Sequence, residues 1–328
     1  MINIVGGSGF IGTRLSRMLV DAKMPFRIID KATSFTFPEQ VSLADVRSTE
    51  ELTRVLSEGG ILVNLAAEHR DDVEPKSLYD EVNVGGAKNL CEAARKKGIQ
   101  KIVFISSVAV YGFAPLGTDE NGTIHPFNDY GRTKAEAELV FKAWQAEDPA
   151  QRTLVIIRPT VVFGEQNRGN VYNLLKQIAK GRFVMIGDGQ NRKSMAYVEN
   201  VAAFLIHSLS FSPGAHIFNY IDKPDFTMNA LVSHVRVMMG KDEKIGFRIP
   251  YGVGFFVGKL FDFVSRVTGK RFAVSSIRVK KFCANSVYGT SVDKTGFVPP
   301  VALADAMART IHFEFRGDSQ NDKLFYSE

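Results

Sequence analysis

The 328-residue chain is predicted to be an α/β protein, with a doubly wound parallel sheet followed by a smaller C-terminal lobe. Three observations carry this prediction. Short apolar strands alternate with helical stretches through about Gly164, a glycine-rich turn joins the first strand to the first helix, and the pattern then loosens into segments punctuated by Gly and Pro. Residues 1–165 are therefore assigned to the sheet, with 194–220 returning to it. Residues 166–193 and 221–316 make up the expected lobe, and 317–328 read as a polar, mobile tail.

The first strand is Ile2-Asn3-Ile4-Val5, and Gly6-Gly7-Ser8-Gly9-Phe10-Ile11-Gly12 leads from it into a helix through Leu19. That order is what a phosphate-binding turn of the Rossmann type requires. Gly6 permits the tight turn, Gly9 lets the backbone approach a pyrophosphate, and Gly12 lets the helix pack on the strand. Phe10 and Ile11 lie within the same turn and are counted among the cofactor contacts. The second strand, Phe26 to Ile29, ends at Asp30, close to the acidic position that hydrogen-bonds an adenosine ribose. A carboxylate there repels a 2′-phosphate and favours NAD over NADP, while Lys31 and Arg14 are cations that pull the other way.

Tyr130 and Lys134 are spaced i, i+4 in a helical stretch from Asp129 through Trp144, so they share one face. A tyrosine titrates near 10, but an adjacent ammonium and a positive nicotinamide ring both favour phenolate. Such a phenolate takes the proton of a sugar hydroxyl. Ser107 ends the buried-type strand Lys101 to Ile105, where its hydroxyl is expected to hold the substrate oxygen beside the phenol.

With these residues in view, the chain resembles the extended short-chain dehydrogenases/reductases of the NAD-dependent epimerase/dehydratase family. The resemblance covers nearly the whole length, and by it Ser107, Tyr130 and Lys134 are the catalytic three. It further implies cofactor contacts from Asp45 and Val46 (adenine), from Leu65, Ala66 and Ala67, from Asn83, and from Pro159 in the segment Arg158 to Gly164. Family members that dehydrate sugars carry an Asp-Glu pair just after the serine; here Val108-Ala109 stand there, and neither moves a proton. Redox chemistry at one carbon is left, either 4-epimerisation or net reduction by an NAD(P)-dependent 4-ketoreductase. A protein that senses the dinucleotide without turnover is the further alternative.

Narrower stretches, among them Leu65 to Val73, Arg168 to Ile178 and Ala273 to Cys283, resemble the bacterial 4-epimerases of undecaprenyl-diphosphate-linked N-acetylglucosamine. The resemblance implies an N-acetylhexosamine on a lipid diphosphate as substrate, within surface-polysaccharide (O-antigen) assembly, with a UDP-linked sugar as the alternative. Where soluble relatives place a diphosphate-binding arginine, this chain has Lys193 followed by Ser194. Lysine keeps the charge without the bidentate fork. Asn170 and Asn173, just past Gly164, are the other residues expected to hold substrate, and the helices from Leu78 and from Tyr130 could pair two copies into a homodimer.

Charge is concentrated in one place. Between Lys259 and Lys281 lie seven basic residues and a single acid, Asp262, a local excess equal to the net +6 of the chain. Just before and within it runs the apolar, aromatic stretch Ile249 to Val264. That combination suits contact with an anionic membrane surface. No run reaches the roughly 20 apolar residues that span a bilayer. The first strand starts at Ile2, so no secretory signal is expected. Two distant cysteines, Cys91 and Cys283, form neither a disulfide framework nor a metal site. The expected location is the cytoplasm, at the inner face of the membrane. Neither a metal nor a nucleic-acid partner is expected.

Overall fold

The computed structural model describes residues 1–70, 73–268, 275–317 and 324–326, with only the backbone of Val267. The chain begins with β1 (Ile2–Val5), α1 (Phe10–Asp21), β2 (Phe26–Asp30), β3 (Val41–Leu43), α2 (Thr49–Val55) and β4 (Ile61–Asn64). Next come α3 (Ser77–Tyr79), a π-helical turn over Asp80–Gly85, α4 (Gly86–Lys96), β5 (Lys101–Ile105), α5 (Asp129–Ala146) and β6 (Thr153–Pro159). After these come β7 (Val161–Phe163), α6 (Asn170–Ala179), β8 (Met185–Ile186), β9 (Arg192–Tyr197), α7 (Val198–Ser208) and β10 (Gly214–Tyr220). The chain closes with β11 (Asp222–Thr227), α8 (Met228–Met238), β12 (Arg248–Ile249), α9 (Tyr251–Thr268), α10 (Ser276–Cys283) and α11 (Leu303–Phe315).

Seven strands form one parallel sheet in the order β10-β6-β5-β4-β1-β2-β3. The order reverses at the β1/β4 junction, where Val5 pairs with Ile29 on one side and Asn64 on the other. That switch point opens a crevice at the carboxyl ends of the strands, the usual ligand position in such sheets. Both faces are covered, so the strands read as continuous apolar runs; Leu154 to Ile157 in β6 are all buried. One core layer packs Phe104, Phe141 and Trp144 under α4 and α5, and the other packs Ile28, Val103 and Phe204 under α1 and α7.

A third core, around Leu175, Tyr197, Val232 and Met307, belongs to the smaller lobe. There β9 lies between β7 and β11 in a three-stranded sheet. The expected return of 194–220 to the large sheet is thus corrected at its start: residues 194–197 stay with the small sheet, while α7 packs on α1 and β10 extends the large sheet beside β6. Asp222 explains the crossing. Its buried carboxylate accepts from the Tyr197 amide at 2.6 Å and from Asn200 Nδ2 at 2.9 Å, pinning β9 to β11 rather than to the large sheet.

The expected mobile tail also needs correction. Residues 318–323 and 327–328 lie outside the described residues, but Phe325 is docked. Its carbonyl accepts from Arg168 N at 2.7 Å, its amide donates to Gln166 O at 2.8 Å, and its ring packs 5.7 Å from that of Phe10. An apolar ring at the end of a polar stretch finds a partner that composition cannot reveal. Among the described residues no helix is long and apolar enough to cross a membrane.

Candidate active site

A cleft of about 910 Å³ follows the switch point from the adenine end to the lobe. At its floor the glycines act as steric necessities. Gly6 has φ +76°, and a Cβ there would lie 2.6 Å from Ala66 N; at Gly12 it would lie 2.5 Å from the Gly7 backbone. At Gly9 it would meet only Gly6 O at 3.4 Å, so the turn stays open toward the cleft. Helix α1 has neither a side-chain cap nor an acid in its first turn, which leaves its positive end free to face a pyrophosphate. Phe10, Ile11, Leu65, Ala66, Ala67 and Pro159 line the same cleft. This cradle fits NAD.

At the adenine end Asp30, Lys31, Asp45 and Val46 all line the cleft. Asp30 holds the turn shut, accepting from Ser8 N and Ala32 N at 3.0 Å each. Lys31 reaches Glu68 at 3.4 Å. Arg14 is not available to a 2′-phosphate: it is buried against the Phe10 ring and donates to Glu165 O at 2.9 Å. Arg47, hydrogen-bonded to Asp45 at 2.7 Å, holds that carboxyl below its ordinary range. Asn83 does not line the cleft. It is buried behind the wall, accepting from Glu68 N at 2.9 Å and donating to Glu68 O at 3.0 Å and to Thr133 Oγ1 at 2.9 Å, so it ties the β4 loop to α5.

The candidate catalytic residues meet because two turns come very close. Ser107 follows β5 in extended conformation, and its Oγ accepts from Ala109 N at 3.1 Å, opening a 3₁₀ turn over Val108–Tyr111. Asn128 caps α5 by accepting from Gly131 N at 2.9 Å. A Cβ on Gly131 would sit 2.4 Å from Ala109 O, so only glycine lets the first turn of α5 reach the Ser107 turn. Tyr130 is thereby brought to the same stretch of the cleft wall as Ser107. One helical turn on, the Lys134 ammonium is buried 4.4 Å over the Phe104 ring.

Burial governs the titration of both groups. It pushes the Tyr130 phenol up, with the Ser107 hydroxyl opposing, and it pushes Lys134 down to about 7, with Glu138 opposing. The sequence-based expectation that Lys134 draws Tyr130 toward phenolate therefore describes only part of the balance. Burial therefore disfavours the phenolate, and further positive charge would favour it.

Behind the catalytic strand lies a polar chain that sequence reading did not single out. Ser106 Oγ donates to Glu138 Oε1 at 2.6 Å, Arg158 donates to both Glu138 oxygens at 2.8 and 2.6 Å, and Arg158 also reaches Tyr111 OH at 2.5 Å. Tyr111 then donates to Asn219 Oδ1 at 2.8 Å. These groups lock β5, α5, β6 and β10 at one point beneath the site. The signal was available: a glutamate four residues past Lys134, and an arginine inside an otherwise apolar strand, each demand a partner.

At the lobe end the expected substrate residues separate. Asn170 lines the cleft, whereas Asn173 is exposed and outside it. Lys193 also lies outside it. Its ammonium donates to Lys281 O at 2.9 Å and to Ala284 O at 2.6 Å, satisfying carbonyls at the end of α10, and burial lowers its titration to about 8. The cation that does line this end is Lys281, 4.7 Å over the Phe127 ring, with Asn285 to Tyr288 beside it. Val108 and Ala109 line the wall next to Ser107, and neither side chain can transfer a proton.

Comparison with known proteins follows the same outline. Over 328 residues the chain is 47% identical to the N-acetyl-α-D-glucosaminyl-diphospho-ditrans,octacis-undecaprenol 4-epimerase of Escherichia coli O157:H7, covering 99% of this chain and 98% of that protein. It is 29% identical over 288 residues to the UDP-glucose 4-epimerase of Vibrio cholerae, covering 82% and 85% of the two chains. The crystal structure of the Thermus thermophilus UDP-glucose 4-epimerase complex with NAD superposes with a TM-score of 0.72 at 21% identity, covering 95% and 98%. Residues 2–220, which span the large sheet and every candidate catalytic segment, match the model of the NAD-dependent epimerase/dehydratase family, and to that family the chain belongs.

Proposed function

We propose that this NAD-dependent enzyme is a 4-epimerase that interconverts N-acetylglucosamine and N-acetylgalactosamine carried on undecaprenyl diphosphate, as a step in surface-polysaccharide assembly. The observation that carries the reading is that the 47% identity extends through the lobe to the end of the chain, beyond the family model's limit at residue 220. Specificity for the carrier resides in that lobe.

The residues divide the work as follows. Ser107 Oγ positions the C4 oxygen, and the Tyr130 phenolate accepts the C4 hydroxyl proton as the 4-keto sugar forms. Bound in the cradle of Gly6 to Gly12, NAD would supply the hydride acceptor and donor for C4 and a positive ring beside the phenol. Lys134 contributes its buried ammonium to the same balance and holds the ribose. Lys281 takes the diphosphate in place of Lys193, leaving the sugar free to turn over in the cleft. Tyr130 then returns the proton to C4 oxygen of the inverted sugar, and no net redox change results. Val108 and Ala109, at the two wall positions after Ser107, supply neither an acid nor a base to eliminate water. A second copy would pack on α4 and α5, where Leu139 stands exposed.

The test is incubation without added reductant, separately with N-acetylglucosaminyl-diphospho-undecaprenol and with UDP-N-acetylglucosamine, and identification of the product sugars. Conversion of the lipid-linked sugar is expected. Conversion of the nucleotide sugar alone would overturn the proposal, and stoichiometric consumption of added cofactor would identify a ketoreductase.

A further inference from the structure

Helix α9 is amphipathic in the wrong sense for a protein in water. Val253, Phe256, Val257, Leu260 and Phe263 recur at helical spacing on one stripe, and all are exposed, Phe256 at 71% and Phe263 at 65%. The inward face is small and polar. A Cβ on Gly254 would lie 2.7 Å from the Ile186 side chain and one on Gly258 2.8 Å from Ser276, while Asp262 accepts from Ser276 N at 3.1 Å and Ser276 Oγ at 2.5 Å. Asp262 is the one acid of α9 and α10, and it is spent on that contact. Lys259 and Arg266 are exposed along the stripe, with Arg278 and Lys280 exposed on the adjoining α10. Lys270 and Arg271 lie outside the described residues.

The stripe is continuous with the catalytic cleft. A second cavity of about 510 Å³ is walled by Pro250 and Tyr251 at the start of α9 and by Lys280, Cys283 and Ala284 of α10 and its exit. Ala284 also lines the cleft, and Lys280 lies 5.5 Å over the ring of Phe113 in the cleft wall.

We propose that α9 docks on the surface of an anionic phospholipid bilayer, its apolar stripe among the acyl chains and its cations at the headgroups, with the mouth of the cleft held beside the membrane. Charge decides against a second copy as occupant. A self-contact through this stripe would set Lys259 and Arg266 against their own likenesses with no acid to offset them, whereas an anionic surface offsets them all. The docking itself stands on the stripe; its use for delivery of substrate rests on the lipid-linked reading above.

The experiment is flotation of the full-length protein with phosphatidylcholine vesicles, with and without phosphatidylglycerol, for the wild type and for Phe256→Ser/Leu260→Ser/Phe263→Ser. Melting temperature and sedimentation are measured alongside. The wild type is expected to float with the anionic vesicles and to lose this in high salt, and the variant to stay in solution with an unchanged melting temperature. A wild type that remains in solution with anionic vesicles overturns the docking; a variant that then passes from dimer to monomer assigns the face to a second copy. Flotation together with turnover of the UDP-linked sugar alone would leave the docking standing and overturn the substrate.

Discussion

Lys134 should be a residue that the fold would gain by losing. Its ammonium is fully buried and titrates near 7 instead of the ordinary 10.5, because desolvation outweighs the attraction of Glu138. Keeping it charged at pH 6 costs the folded state about 5 kcal/mol relative to the unfolded chain. Lys134→Met removes that cost and gives up the contact with the Phe104 ring, about 2 kcal/mol for a desolvated cation over an aromatic face. Since that cost is already net of the Glu138 attraction, the net gain is about 3 kcal/mol, or roughly 4 °C in melting temperature for a chain of this size. The sign across pH follows from which state holds the proton. Above pH 7 the wild type folds with a neutral amine while the unfolded chain keeps its proton to about 10.5, so wild-type stability rises with pH at about 1.4 kcal/mol per pH unit and the variant's advantage closes near pH 9. The assay is thermal denaturation of both proteins stripped of NAD, so that a change in cofactor binding does not enter, at pH 6, 7.5 and 9. A variant that melts below the wild type at pH 6, or a difference that does not change with pH, would refute the argument that the ammonium is held in place against its own desolvation.

Tyr130→Phe is expected to keep its fold and its NAD while losing on the order of 10²- to 10⁴-fold in turnover; wild-type rates in that variant would remove the proposed base. Glu138→Gln should lower stability by about 3–5 kcal/mol, since it strands the Arg158 guanidinium at 2% exposure. Denaturant titration checks this, and a loss under 1 kcal/mol would mean that Tyr111 OH and Glu120 O, which accepts from Arg158 Nη1 at 3.2 Å, suffice to hold the arginine. Lys193→Met should cost about 1–2 kcal/mol by freeing the carbonyls of Lys281 and Ala284, with little change in KM for the sugar. A large rise in KM at unchanged melting temperature would instead return Lys193 to the diphosphate.

Much of this protein was legible one residue at a time because the decisive interactions are local. The turn Gly6 to Gly12, the i, i+4 pair Tyr130 and Lys134, and the apolar runs of β1, β4, β5 and β6 depend on neighbours within a few positions, and each appears where its pattern places it. The resemblance to the epimerase/dehydratase family is carried by those elements. The lobe behaves differently. Lys193 and Asn173 stand at positions where the resemblance places substrate contacts, and position along the chain does not tell which way a side chain turns. The Lys193 ammonium bonds the end of α10, 88 residues away in sequence, while Lys281 lines the cleft. Phe325 sits against Phe10 although the chain around it is polar.

The chain by itself therefore determined the doubly wound sheet, the phosphate turn and the three candidate catalytic side chains, because glycine sterics, strand hydrophobicity and helical periodicity act over short sequence distances. Only the tertiary structure decided which cation lines the lobe end of the cleft, that Ser106, Glu138 and Arg158 brace the site from behind, and that the aromatic stretch after Pro250 turns outward. Those outcomes depend on which surfaces remain after distant segments have packed, and burial, desolvation and exposure are properties of that packing.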